Sequence, residues 1–226
     1  AQSCRKDYVL ADAASGAELD RGYLISAKDL GAWEHLADIA DAGIHTLKVE
    51  GRKKKPEYVA TVTHSYRDFL DRLAAGPPDW RPPTPAEVQP LVQIFSRGFT
   101  GGMFGGRAGR DYVTRTQPDN RGAVLGEVIG REKNELIVLV SQPIQRGDGL
   151  GFEHPDGPLK GNRGFAVRSV RTIGRQKRKV RQAIQPAEDI PAGWIVVRSA
   201  EAALLASARE SFAAVPATGE PERIRV

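Results

Sequence analysis

Five of the ten residues from Gly76 to Pro85 are proline. Each proline removes a backbone N–H and fixes φ, so neither a helix nor a paired strand runs through such a stretch. The chain is therefore divided here. The N-terminal side of the run carries long helical spacing, and the C-terminal side carries short strand-like segments.

In the first part, Tyr8 to Val9 and Gly22 to Ile25 read as short strands around a polar turn at Ser15-Gly16. Ser26, with Asp29 three residues later, has the form of a helix-start capping pair. Leu30, Trp33, Leu36, Ala37 and Ala40 then recur at helical spacing, and Gly43 closes the pattern. Ile44 to Glu50 alternates polar and apolar residues like a half-buried strand. A second helix runs from about Pro56 to Leu73, with Val59, Val62, Tyr66, Phe69, Leu70 and Leu73 inward. The order β-α-β-α predicts a parallel α/β sheet or barrel. Two such units cannot close a barrel of eight, so either this piece packs on something else or the missing units lie upstream of Ala1.

After the prolines, Glu87 to Phe95 reads as a short helix, and Phe95 to Gly106 is glycine-rich with interleaved aromatics. Six short strands are then expected at Val124 to Ile129, Glu135 to Val140, Gly149 to Phe152, Gly164 to Ile173, Lys179 to Ile184 and Trp194 to Arg198. That spacing predicts a small antiparallel β-barrel. Ala200 to Phe212 reads as a final helix. The fold class is thus α/β plus β, divided as 1–75 (end of a barrel), 76–121 (connecting segment), 122–199 (β-barrel-like) and 200–226 (helix and tail).

The strand expected before the second helix would end in Lys48, Glu50 and Arg52, at every second position and so on one side. Gly51 frees a sharp exit, and Pro56 suits the first turn of a helix. An acid and two bases at the C-terminal end of a strand are how α/β enzymes build sites. Glu50 could act as a base or metal ligand. Lys48 and Arg52 could hold carboxylate or phosphate oxygens. The competing reading is a structural ion pair at the strand–helix corner. His35, His45, His64 and His154 lack metal-ligand spacing, which argues against a zinc protease. Ser26 and Ser96 lack a nucleophile elbow.

Charge adds a second candidate. Between Gly157 and Ala187 stand nine Lys or Arg and no Asp or Glu. They are Lys160, Arg163, Arg168, Arg171, Arg175, Lys177, Arg178, Lys179 and Arg181, a footprint suited to nucleic acid. A solvated basic hairpin is the plainer alternative. One cysteine, Cys4, excludes an internal disulfide framework and accords with a reducing cytoplasmic setting. No apolar run approaches the roughly 20 residues of a membrane span.

Cys4-Arg-Lys-Asp-Tyr8, Tyr23-Leu-Ile-Ser-Ala-Lys-Asp-Leu30, Leu47-Lys-Val-Glu-Gly-Arg52 and Pro56-Glu-Tyr-Val59 stand in order along the chain, and Tyr66-Arg67, Phe95-Ser-Arg-Gly-Phe-Thr100, Asn120-Arg-Gly122 and Gly147-Asp-Gly149 continue the series. Together they resemble the collagenase-like peptidases of unknown catalytic type, family thirty-two of the unassigned class. The resemblance implies a triose-isomerase-type barrel and, after it, a β-barrel-like region. Some members are named as proteases, and others hydroxylate a pyrimidine of ribosomal or transfer RNA, with a four-cysteine iron–sulfur cluster and prephenate as a linked metabolite. The long region after the barrel is most similar to the ribosomal-RNA branch. Departures are visible: Ser3, Val49, Lys53 and Lys55 stand where the family has Pro, Ile, Met and Ser. A first cysteine of the pattern is also missing. Only Cys4 carries over as a cluster ligand, and a four-iron cluster needs about four thiolates. The chain is therefore expected to be the C-terminal piece of a longer member and inactive alone. Its expected partners are ribosomal or transfer RNA and the missing barrel half. An inert thiol is the plainer reading of Cys4, and a collagenase-like protease and a non-catalytic RNA-binding module are the competing functions.

Overall fold

A computed structural model describes residues 2–51, 53–77, 80–104, 106, 112–115, 118–157, 161–186 and 188–214. β1 (Tyr8–Ala11) and β2 (Glu18–Ala27) form an antiparallel hairpin, with Tyr8 opposite Gly22 and Leu10 opposite Asp20. Its turn is set by Asp12, whose carboxylate accepts from the backbone N–H of Ala14 and Ser15 and from the Ser15 hydroxyl. Those bonds hold its pKa below the ordinary aspartate value. β2 also pairs antiparallel with β5 (Val113–Arg115).

Residues 26–50 depart from the expected helix cap and strand. Ser26 ends β2 fully buried rather than capping a helix. Asp29 lies in β3 (Asp29–Leu30), which pairs parallel with β4 (Phe99–Thr100). Helix begins only at a single 3-10 turn, Trp33–His35, and continues as α1 (Leu36–Asp41). Residues 44–50 form no strand and lie at the surface, with Leu47 partly buried against the helical core. Alternation is satisfied only when a neighbouring strand takes up the N–H and C=O groups, and none pairs with this segment among the described residues. Two successive parallel β/α units, the basis for expecting the end of a triose-isomerase-type barrel, are therefore not formed among the described residues.

The helices obey their local signals more closely. α2 (Pro56–Ala75) starts with proline at its first turn and ends at Gly76. α3 (Pro85–Ile94) starts at the end of the proline run, where Thr84 and Glu87 form a reciprocal capping box. Trp33, Leu36, Val62, Phe69, Val88 and Leu91 make the core between these helices. α4 (Ala202–Phe212) docks on α2 through Arg209 and Glu57, 2.7 Å apart.

The second core lies inside a seven-stranded antiparallel sheet of order β10-β11-β7-β6-β12-β8-β9. Its strands are β6 (Ala123–Glu132), β7 (Glu135–Val140), β8 (Gly149–Glu153), β9 (Asn162–Ala166), β10 (Val170–Gln176), β11 (Lys179–Ile184) and β12 (Ile195–Ala200). The stretch read as one strand from Gly164 to Ile173 is two, broken where Val167 N–H bonds back to the Asp148 carbonyl. Leu125, Val128, Val138, Phe152, Ile184 and Val196 lead its core. Gly122, at φ +72°, lets β6 enter beside β12, because a Cβ there would lie 2.1 Å from the Arg198 carbonyl oxygen.

Candidate functional site

Lys48 and Glu50 lie on an exposed segment. Their side chains are 85% and 69% exposed and make a loose ion pair of 3.6 Å. Arg52 lies outside the described residues. The Glu50 carbonyl accepts a hydrogen bond from the Tyr58 hydroxyl, which ties this segment to the start of α2. An exposed pair of this kind contributes at most about 1 kcal/mol.

The charges that do converge stand on either side of that segment. Asp29, placed by β3, receives both Nε and Nη2 of Arg97 at 3.1 and 2.5 Å, and its second oxygen accepts the Arg97 backbone N–H at 2.9 Å. β4 holds Arg97 there: Asp29 N–H donates to the Gly98 carbonyl, so β3 and β4 close the same corner. Both side chains are about one fifth exposed. Lys54 reaches toward this pair, its ammonium 2.7 Å from the centre of the Phe95 ring and 5.6 Å from that of Tyr58.

Burial pushes the Lys54 ammonium down to about 8, partly opposed by Asp29, with Arg5 and Arg97 pushing the same way as burial. Burial also raises the Tyr58 and Tyr66 phenols, and the Tyr66 hydroxyl accepts the Ala32 backbone N–H. Ser26 Oγ is buried and has no hydrogen-bond partner among the described residues. The arrangement provides an amine able to exchange a proton near neutral pH, beside a guanidinium held rigid by its carboxylate. In Lys54 the lowered pKa means that the unfolded chain binds more protons between about pH 8 and 10.5. Stability from this group therefore rises across that window, and the burial penalty is fully present below pH 8. Amine acylation with mass-spectrometric readout is expected to show Lys54 half-reactive near pH 8. Ordinary lysines require about two pH units more. A Lys54 profile like theirs would remove the proton-exchange role.

Cys4 is exposed on the 3-10 turn Ser3–Arg5. Its neighbour Arg5, 3.7 Å from Asp119, is among the charges acting on Lys54. No group of three metal-ligating side chains occurs among the described residues. With one cysteine in the sequence, this chain by itself does not fit a four-iron cluster.

The basic block is sorted by its partners. Arg171 is paired with Glu135, Arg181 with Glu132 at 2.7 Å, and Arg163 with Glu188 at 3.9 Å and the Asp189 carbonyl. Arg168, Arg175, Lys177, Arg178 and Lys179 are exposed and have no acidic partner among the described residues. Four of these five flank or form the turn of the β10–β11 hairpin. Lys160 lies outside the described residues. Sequence reasoning thus found the hairpin but missed Lys54 and Arg97. Their signal is tertiary, since Asp29 and Arg97 are 68 residues apart.

Residues 1–114 match the family described as Peptidase family U32. The chain is 31% identical over 154 residues to the 23S rRNA 5-hydroxycytidine C2501 synthase of Escherichia coli, covering 66% of the chain and 23% of that protein. It is 40% identical over 174 residues to tRNA hydroxylation protein P1 of Bacillus subtilis, covering 69% of the chain and 39% of that protein. It is 37% identical over 109 residues to a collagenase of Porphyromonas gingivalis, covering 47% and 26%. The chain thus spans between about a quarter and two fifths of these relatives' lengths. No solved structure matches it.

Proposed function

The chain belongs to peptidase family U32, and on that premise we propose that it is part of a protein that hydroxylates a pyrimidine in ribosomal or transfer RNA. The observation that carries this reading is the uncompensated cationic edge of the β10–β11 hairpin, formed by Arg175, Lys177, Arg178 and Lys179. Cations on an antiparallel hairpin, without carboxylates to neutralise them, bind a phosphate backbone by releasing its counterions. Two of these relatives carry RNA hydroxylation in their names. The Asp29–Arg97–Lys54 corner is the chemical centre in this reading. Arg97 offers fixed donors to an anionic group, and the Lys54 amine takes up or releases a proton.

In the longer parent, Cys4 is proposed as one thiolate of an iron–sulfur cluster completed by ligands outside this chain. Such a cluster would supply electron transfer. The last units of a triose-isomerase-type barrel remain part of the same proposal, with residues 44–50 gaining strand partners in the longer protein. A prephenate-linked hydroxyl donor and a cytoplasmic location also belong to the proposal. No helix among the described residues is long and apolar enough to cross a membrane.

The test is RNA affinity as a function of salt. Replacing Lys177, Arg178 and Lys179 together by alanine is expected to flatten the slope of log K against log salt by about 2, at roughly 0.7 per phosphate on a single strand. An unchanged slope would reject the hairpin as the RNA grip. The relative named a collagenase supports a second reading as a peptidase. Gelatin cleavage by the full-length parent, abolished by Glu50→Gln, is the outcome that would favour it.

A further inference from the structure

The outer face of β8, β9 and β12 carries a cleft of about 340 Å³ that the hairpin and the Asp29–Arg97–Lys54 corner do not use. Its floor is glycine: Gly149 and Gly151 from β8 and Gly164 from β9, with Gly151 directly opposite Gly164. One of these is demanded by strand packing and a second is closely packed. A Cβ on Gly164 would lie 2.8 Å from the Leu150 carbonyl oxygen, and one on Gly149 would lie 3.0 Å from Ser199 Oγ. Gly151 is different, because a Cβ there meets nothing closer than 3.9 Å. The fold would accept a side chain at Gly151, and its absence leaves the floor bare.

Beside this floor stands Glu153, whose side chain is 4% exposed. Its carboxylate accepts only from Arg121, at 3.4 Å from Nε and 3.1 Å from Nη2, with no other donor among the described residues. An ionised carboxylate has about four acceptor sites. Two long bonds leave capacity unspent in a group that is costly to bury. Arg121 is rooted by its own backbone N–H on the Ser96 carbonyl, and Asn120 braces the loop through Ser96 and Ser199. Its side chain is 44% exposed and its guanidinium keeps donors for a second partner.

A donor-poor buried carboxylate, a half-exposed guanidinium and a bare floor between strands make a set suited to a sugar next to a phosphate. We propose that this cleft holds one ribose of an RNA strand, its 2′-hydroxyl donating to Glu153 and the adjacent phosphate resting on Arg121. The proposal rests on the RNA reading above and adds a way to tell RNA from DNA. A hydroxyl donating to a carboxylate is a strong charge-assisted bond, and DNA lacks that hydroxyl. The glycine floor admits the sugar and base at backbone distance.

The test compares binding of one single-stranded RNA and the DNA of the same sequence to the whole chain, by fluorescence anisotropy. The wild-type chain is expected to prefer RNA by roughly tenfold or more, the worth of one charge-assisted bond. Glu153→Gln should keep the bond from Arg121, weaken RNA alone and bring the ratio close to one. Gly151→Leu, whose Cβ would stand at ordinary contact distance from its neighbours, should fill the cleft and do the same, and serves as the check if Glu153→Gln unfolds in a thermal melt. Equal affinity of the wild type for RNA and DNA overturns the proposal. So does an RNA preference that survives both folded variants, since Glu153 and Arg121 then merely pin the loop to β8. Absence of any RNA binding removes the RNA reading itself. The hairpin alanine variant should weaken RNA and DNA together and leave their ratio unchanged, so the two failures are distinguishable.

Discussion

Replacing Arg198 by alanine is expected to lower the unfolding free energy by about 3–5 kcal/mol. Arg198 sits in β12 with its side chain 4% exposed, and it joins the helical part to the sheet. Nε donates to Gln93 of α3 at 2.8 Å and Nη2 to Gln142 at 2.7 Å, while its own carbonyl accepts from Gln93 Nε2 at 2.7 Å. Glu201 and Asp148 balance the charge at 3.3 and 3.9 Å. Alanine would leave Gln93, which is 1% exposed, and Asp148, which is also 1% exposed, without their cationic partner. A buried polar group stripped of its partner keeps its full desolvation cost. Set against a typical total of 5–15 kcal/mol, this is a large fraction. The midpoint of urea unfolding is the readout. The Arg171→Ala change, which breaks an exposed pair with Glu135, should move it by less than about 1 kcal/mol. Equal small shifts for both would mean that α3 is not held to the sheet through Arg198.

Asp29→Ala is expected to cost about 2–3 kcal/mol, a buried-pair loss reduced by the partial exposure of both groups. Alanine removes the acceptor for three donors at once: Nε, Nη2 and the backbone N–H of Arg97. Asp29→Asn retains one side-chain acceptor but no charge, and should cost less. Both variants remove the chief influence that raises the Lys54 pKa, so the Lys54 titration should fall below about 8. Acylation rate against pH measures this directly. A Lys54 titration unmoved in both variants would show that Asp29 and Lys54 are electrically independent and that the corner is not one site.

Some of this molecule is legible in local chemistry. Pro56 marks the start of α2, and Lys179–Ile184 and Glu135–Val140 are the strands that their patterns predict. The unbroken apolar run from Leu136 to Val140 belongs to a strand buried throughout, and the hairpin cations are evident from composition. Other patterns misled. Ser26 and Asp29 have the spacing of a cap, yet Asp29 is claimed by Arg97, because three part-buried bonds to its carboxylate, two of them charge-assisted, outweigh a cap worth about 1 kcal/mol. Ile44 to Glu50 alternates like a strand but pairs with no neighbouring strand among the described residues.

Residue types, caps, turns and the charge of the β10–β11 edge were determined by the sequence itself, because each depends on groups within a few positions of one another. The ammonium of Lys54 over Phe95, the Asp29–Arg97 corner, the bare floor at Gly151 and the two-sided role of Arg198 were decided only by the tertiary structure. Each joins residues dozens of positions apart, or depends on what burial removes from water, and neither distance nor desolvation is written in local order.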